Sequence, residues 1–186
     1  MPMLERLWTY PELVEAFAPE TRCEIIKNQL FMSPAPNTEH QKISRNLGSD
    51  LHLFVKKNQR GEVLFAPFDV ILDDNNVVQP DIVFIAQENL KYLTKRGFEG
   101  VPDLLVEIIS PSTFYRDSEE KKKLYEQYGV KEYWLIDPAN QVVEIFYLEN
   151  QQYQLHQFIA EQGKMTSRLL AGFEVDCKDI FPERNL

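Results

Sequence analysis

The sequence predicts an α/β (α+β) fold, a mixed central β-sheet flanked by at least two helices, with added hairpins. Three observations carry that expectation. Residues 104–109 (LLVEII) and 132–137 (EYWLID) are near-continuous apolar runs of strand length, the pattern of strands covered on both faces. Residues 39–57 place Ile43, Leu47, Leu51 and Phe54 at helical spacing, which makes an amphipathic helix. Much of the rest breaks into short apolar segments separated by polar turn residues, as hairpins do.

In chain order, Thr9 followed by Pro11 and Glu12 is a T-x-x-E capping box, in which the glutamate reaches back to the threonine N–H; it opens a helix to about Ala18. In RCEIIKNQLFMSP two apolar runs flank Lys27-Asn28, a hairpin with Asn28 supplying the tight turn. Thr38 and Gln41 give a second capping box ahead of the 39–57 helix. Strands follow near 62–66 and 68–72, then the polar turn 73–76 (DDNN). Residues 77–85 (VVQPDIVFI) read as a strand that Pro80, lacking an N–H, interrupts with an edge or a bulge. Residues 115–128 are helical, and Gly129 closes that helix in the left-handed conformation glycine tolerates. Asp137-Pro138-Ala139-Asn140 turns the chain into VVEIFYL. The remainder, to about Arg168, reads as two further hairpin strands with the turn at Gln162-Gly163-Lys164.

The 186 residues suit one domain spanning 1–186, and 44% hydrophobic with 26% charged residues is ordinary for a globular chain. No apolar run approaches the ~18 residues of a spanning helix. The start lacks the basic segment, apolar core and small-residue cleavage site of a signal peptide. A cytoplasmic location without membrane partners is therefore expected. Cys23 and Cys177 form no CxxC and are expected to be reduced and buried, and three histidines with two cysteines offer no zinc-finger spacing. The net charge of −9 repels nucleic acid at long range, which argues against a module that binds DNA by charge alone. It is compatible with a metal-dependent enzyme, because divalent cations neutralise part of an acidic site.

Glu107 is the chemically informative residue. It stands alone in an apolar strand, where an unpartnered ionised carboxylate costs several kcal/mol or is forced to protonate. A cation partner or a metal removes that cost. Asp81 poses a similar question between Pro80 and the apolar run 82–85. Two carboxylates on neighbouring strands can share a hard cation such as magnesium, which takes oxygen ligands and keeps several waters. One of those waters can become a nucleophile while the ion offsets charge on a phosphate. Along RDSEEKKKLYEQY, residues 117, 121, 124, 125 and 128 share one helix face, and Leu124, Tyr125 and Tyr128 mark it as the buried one. Lys121 therefore points toward the sheet, whereas Lys122 and Lys123 fall on the solvent side. There Lys121 can lower the pKa of a water and stabilise developing charge; as a surface residue it would pair with Asp117 instead.

As a set these segments are specific. Gln79-Pro80-Asp81-Ile82, the stretch 102–113 (PDLLVEIISPST), and Asp117, Lys121 and Tyr125 followed by 129–138 (GVKEYWLIDP) resemble the signature of the Uma-two family. These are bacterial proteins of the PD-(D/E)XK, restriction-endonuclease-like superfamily. The resemblance extends upstream to Cys23-Glu24-Ile25-Ile26, Met32-Ser33-Pro34 and Glu39-His40, and covers nearly the whole chain. It implies a single restriction-endonuclease-like domain over 1–186, with Mg2+ or Mn2+ as cofactor and Asp81 and Glu107 as metal ligands. It also implies Glu24 as the acidic residue that completes such sites. The superfamily's lysine two residues after the glutamate is here Ile109, and the resemblance implies that Lys121 replaces it from the helix. The implied activity is that of an endonuclease hydrolysing phosphodiester bonds in DNA. Nucleic acid is then the substrate partner, and a homodimer would suit the cutting of two strands. The alternative is a binding module of the same fold, for nucleic acid or protein, with weakened or lost catalysis.

Several residues also have a purely structural reading. Glu24, in a short strand, faces either the site or solvent. His40 lies three and seven residues before Ile43 and Leu47, so it is either a satisfied histidine on the apolar face or a participant in catalysis. Tyr125 packs on the sheet, with a hydroxyl that reaches the site in the functional reading. Asp103 ends a loop and is expected to cap or turn. Ser110-Pro111-Ser112-Thr113 carries hydroxyls suited to phosphate contact or helix capping. Without G-x-S-x-G it does not indicate a serine hydrolase.

Overall fold

The structure, a computed structural model, describes residues 6–18, 20–110 and 114–182. The Thr9 capping box forms, with Glu12 Oε2 accepting the Thr9 backbone N–H at 2.9 Å, and α1 (Tyr10–Ala16) ends slightly short of Ala18. The hairpin of β1 (Cys23–Ile26) and β2 (Gln29–Met32) is closed by Lys27 and Asn28 at φ 51° and 65°. The next helix, α2 (Thr38–Lys57), starts one residue earlier than the second capping box requires. Asn37 is its N-cap, the side chain accepting the His40 N–H at 2.8 Å, because an amide oxygen there satisfies the same orphan donor as a threonine hydroxyl.

Four strands follow, β3 (Gly61–Phe65), β4 (Asp69–Asp73), β5 (Asn76–Val78) and β6 (Ile82–Ala86). The segment 77–85 is thus not one strand. Val78 ends β5 in one sheet and Ile82 begins β6 in another, with Gln79-Pro80-Asp81 crossing between them. Pro80 donates no ladder hydrogen bond, and the ladder stops there. A 3-10 turn (Gln87–Tyr92) and β7 (Gly97–Glu99) lead to β8 (Leu104–Ile108). A π-turn over Arg116–Lys121 then runs into α3 (Lys122–Tyr128), closed by Gly129 at φ 87°.

After β9 (Glu132–Asp137), the strands β10 (Val142–Glu149) and β11 (Gln152–Ala160) form a hairpin whose turn is Asn150-Gln151, at φ 49° and 64°. The expected turn at 162–164 does not close a hairpin. Instead β12 (Lys164–Thr166) pairs with β13 (Glu174–Asp176), which leads into α4 (Cys177–Ile180).

The smaller of the two main sheets has the order β2-β1-β5-β4-β7 and the larger β11-β10-β9-β8-β6-β3. Both are mixed: β4–β7 and β8–β9 are parallel and the other neighbours antiparallel. Period-two alternation decides what each strand buries. In β8, Leu104, Val106 and Ile108 pack against Ile43, Leu47, Leu51 and Val55 of α2. On the other side, Leu105 and Ile109 pack with Ile26 and Val78 of the smaller sheet and with Leu124 and Tyr125 of α3. The far face of the smaller sheet, with Cys23, Ile25 and Val77, is covered by Leu13 of α1. Cys23 and Cys177 are free and buried, as expected, in different layers. Among the described residues, no helix is long and apolar enough to cross a membrane.

Candidate active site

Alternation in β8 sends Glu107 into the layer between the two sheets. The antiparallel register Ile82↔Val106, continued by one residue, sets Asp81 opposite Glu107, and opposite residues on paired strands point to the same side. Both are buried, at 6% and 3% exposure. Asp81 Oδ2 accepts the Ile108 N–H at 2.8 Å and lies 3.1 Å from His40 Nε2. Glu107 Oε1 accepts from Lys121 Nζ at 2.9 Å and from the Tyr125 hydroxyl at 2.7 Å. These contacts fall on one oxygen of each carboxylate.

The helix presents the face that its spacing predicts. Asp117, Lys121, Leu124 and Tyr125 are buried, and the π-turn carries the first two into the layer. Such one-turn π-bulges recur at functional sites. Lys121 Nζ is 2.6 Å from Glu24 Oε1, 2.9 Å from Glu107 Oε1 and 3.5 Å from Asp117 Oδ1, which rules out a surface pair with Asp117 alone. Lys123 is exposed and pairs with Glu119. Lys122 departs from its expected solvent position, because its ammonium packs 3.5 Å from the centre of the Phe146 ring.

Glu24 does not face solvent. In β1, Cys23 and Ile25 turn toward α1, so Glu24 and Ile26 turn into the layer between the sheets. Its Oε1 also accepts the Gln79 N–H at 2.8 Å. Arg116 Nε lies 3.7 Å from Glu24 Oε2 and 4.0 Å from Asp117 Oδ1, and it is buried without a hydrogen bond among the described residues. Glu107 of the larger sheet, Glu24 of the smaller sheet and Asp117 of the helix are thereby arranged around the Lys121 ammonium, with the Arg116 guanidinium beside the last two.

Burial pushes the Glu107 carboxyl well above the usual carboxylate range; Lys121 opposes the rise, and Asp117, Asp81 and Glu24 add to it. Burial by itself would lower Lys121. Glu107, Glu24 and Asp117 override it and raise the ammonium pKa, so Lys121 stays charged. The Tyr125 hydroxyl is driven up by burial and by Glu107, and it remains a donor.

A cleft of about 290 Å³ reaches Glu24, Asp81, Glu107, Arg116 and Lys121, with His40 at its rim. His40 therefore meets Asp81 through Nε2, while its Nδ1 is buried without a partner among the described residues. Among those residues, no three His, Cys, Asp or Glu side chains converge closely enough to hold an ion by themselves. Ser110 lines the cleft; the rest of the expected hydroxyl segment, residues 111–113, lies outside the described residues. Asp103 is apart from the site, as a turn residue should be. It accepts from the Ala86 N–H, Asn89 and Lys131 at 2.8–2.9 Å.

Arg116 is the residue that sequence reasoning missed, and Asp117 is one it undervalued. The signal for Asp117 was its i,i+4 spacing to Lys121 on the buried face. For Arg116 there was none, because helical spacing does not place position 116 on that face.

A family model described as "Uma2: Putative restriction endonuclease" matches residues 8–178. No curated protein matches the chain. Among solved structures, that of "a putative nuclease belonging to DUF820" from Anabaena variabilis ATCC 29413 has a TM-score of 0.76 and 19% identity, covering 93% of this chain and 97% of that one. At that identity the likeness concerns the fold: mixed sheets flanked by helices, as the sequence predicts. The family match includes Glu24, Asp81, Glu107, Arg116, Asp117 and Lys121 within its span, and the chain belongs to the Uma2 family.

Proposed function

We propose that this protein is a Mg2+- or Mn2+-dependent endonuclease that hydrolyses phosphodiester bonds in DNA, with Asp81 and Glu107 as the carboxylate ligands of the ion. One observation carries the reading. Two buried carboxylates, side by side by register, each take their hydrogen bonds on one oxygen and both line the cleft. That donor set fits a hard cation, since Mg2+ is commonly held by one or two carboxylates and keeps water or phosphate oxygens in its other positions. When bound, the ion supplies positive charge at the phosphate and a water of lowered pKa.

The remaining roles belong to the chain. Lys121, held charged, keeps Glu107 in place and offsets charge that develops on the phosphate; it is not a proton acceptor. Glu24 and Asp117 position that ammonium. The Tyr125 hydroxyl orients Glu107, and His40 orients Asp81. Arg116, whose Nε has no hydrogen bond among the described residues, is the donor for a phosphate oxygen. The nuclease wording attached to the family and to the solved structure supports the same reading.

The test is purified protein with plasmid and single-stranded DNA in the presence of either metal. Cleavage that survives Asp81→Asn and Glu107→Gln together rules this site out. One observation favours a catalytically silent binding module: Lys121 already bridges Glu24 and Glu107, so the carboxylates have a cation of their own. Calorimetry showing no heat of binding at millimolar Mg2+ or Mn2+ would select that module.

A further inference from the structure

A second depression adjoins the site and shares Arg22, His40 and Asp81 with it. One side of it is the face of α2 that carries Gln41, Ser44, Arg45 and Ser49, positions that fall together at helical spacing. Its wall is Phe65, the last residue of β3. The β3–β6 register pairs Phe65 with Ile82, next to Asp81, and the adjoining Ala66 N–H donates to the Asp81 carbonyl at 3.2 Å. An aromatic ring is thus fixed beside a carboxylate assigned above to the metal.

Phe65 is 41% exposed and lines this cleft. It has the same parity as Val63, so it turns toward α2, and its ring lies against Gly48. A β-carbon at Gly48 would stand 2.1 Å from Phe65 Cε1. Glycine is a poor residue for a helix interior, and here its missing side chain is what admits the ring. The ring is consequently held by the helix backbone on one side and is half open to the cleft on the other.

The cations of this cleft are Arg22 and Arg45. Arg22 Nε is buried with no hydrogen-bond partner among the described residues, and Arg45 is steadied by Asn46 Oδ1 through Nε and Nη2 at 3.2 and 2.9 Å. In a chain of net charge −9, any polyanion needs such a local cationic track to approach an acidic centre. A flat, exposed ring beside arginines and hydroxyls is the arrangement that binds a single-stranded nucleic acid: bases stack on the aromatic face and phosphates meet the cations.

We propose that this cleft seats the single strand that flanks the scissile phosphate, with a base stacked on Phe65, a phosphate on Arg22 and further backbone contacts from Arg45, Ser44 and Ser49. The proposal rests on the nuclease reading above but is tested without catalysis. Fluorescence anisotropy of a labelled thymidine oligonucleotide of about 12 nucleotides, in EDTA at about 50 mM salt, measures binding alone. Phe65→Leu, which keeps an apolar side chain but removes the π-face, is expected to weaken binding about tenfold. Phe65→Trp is expected to preserve it. Gly48→Ala, which leaves Phe65 itself unchanged but displaces its ring, is expected to weaken binding like Phe65→Leu. Arg22→Ala is expected to reduce the slope of log affinity against log salt by about 0.7. Circular dichroism of each variant checks that the fold persists. Equal affinity for wild type, Phe65→Leu and Gly48→Ala overturns the proposal, and so does a wild-type protein that binds no oligonucleotide. Phe65-dependent binding in a protein that never cleaves DNA would uphold this cleft and sink the nuclease reading.

Discussion

Lys121 Nζ and Glu107 Oε1 lie 2.9 Å apart, which ties the π-turn before α3 to the middle of β8. The pair is buried on both sides, and the same ammonium reaches Glu24 and Asp117. In such surroundings the Coulomb attraction between the two charges is offset by the cost of taking both out of water, so their net contribution is modest. Removing one partner is different, because it leaves the others charged and dry.

Lys121→Met is therefore expected to lower stability by about 3–5 kcal/mol. The measurement is a urea titration in EDTA, where a lower midpoint at unchanged m-value reports lost stability. Adding Glu107→Gln to the same chain should recover part of the loss, because it removes one of the stranded carboxylates. A single variant with the wild-type midpoint would mean that the carboxylates do not depend on Lys121.

Asp81 depends on His40 in a milder way. The His40 Nε2 to Asp81 Oδ2 contact of 3.1 Å holds the carboxylate from the first turn of α2. Groups that orient a metal ligand typically change affinity or activity about 10- to 100-fold when removed. His40→Ala is expected to weaken Mn2+ binding by about that factor in calorimetry. Because a single hydrogen bond contributes only about 1 kcal/mol, thermal unfolding of the metal-free variant should stay close to wild type. Unaltered Mn2+ affinity would remove His40 from the site.

How far the site is legible in the sequence depends on where each residue's signal comes from. Glu107 is legible because an acid inside an apolar strand is anomalous, and Lys121 because only one lysine of three shares a face with Leu124 and Tyr125. His40 and Glu24 are ambiguous in sequence, since their partners Asp81 and Lys121 lie 41 and 97 residues away on other elements. Periodicity reports which face of an element is buried, not against what. For the same reason the strands are legible but their division into two sheets is not: alternation is identical whichever sheet a strand joins. Pro80 marks a break, and only the paired registers show that the chain changes layer there. Helical spacing likewise says nothing of why position 48 is glycine; the reason is a ring on β3.

Glu132 provides a pH test remote from the site. It faces α2 from β9, is fully buried, and accepts from Trp134 Nε1, Ser167 Oγ and the Leu169 N–H at 2.7–3.0 Å. Burial raises its pKa from 4.5 despite those donors. A carboxyl whose folded pKa exceeds its unfolded one binds its proton more tightly when folded. Its contribution is present at low pH and is lost as pH rises from the unfolded value through the folded one. Wild type should therefore lose stability relative to Glu132→Gln as pH climbs above about 4.5. Denaturant midpoints of the two proteins from pH 4 to 8 check this; parallel curves would show that Glu132 titrates alike in both states.

The metal prediction follows from the same logic applied to Glu107. In the metal-free protein, burial and neighbouring carboxylates hold this group above its usual range. A cation binds the ionised form, so binding must release whatever proton the carboxyl retains. Mn2+ should then bind more tightly at pH 8 than at pH 5.5. Its heat should also differ between buffers of different ionisation enthalpy in proportion to the protons released. Because the ion stabilises only the folded state, Mn2+ at a hundred times its dissociation constant should add about 2.7 kcal/mol of stability. Asp81→Asn and Glu107→Gln should each abolish most of that gain while leaving a folded protein. If millimolar Mn2+ neither stabilises wild type nor releases protons at either pH, Lys121 is the site's permanent cation and the binding-module reading replaces the enzyme.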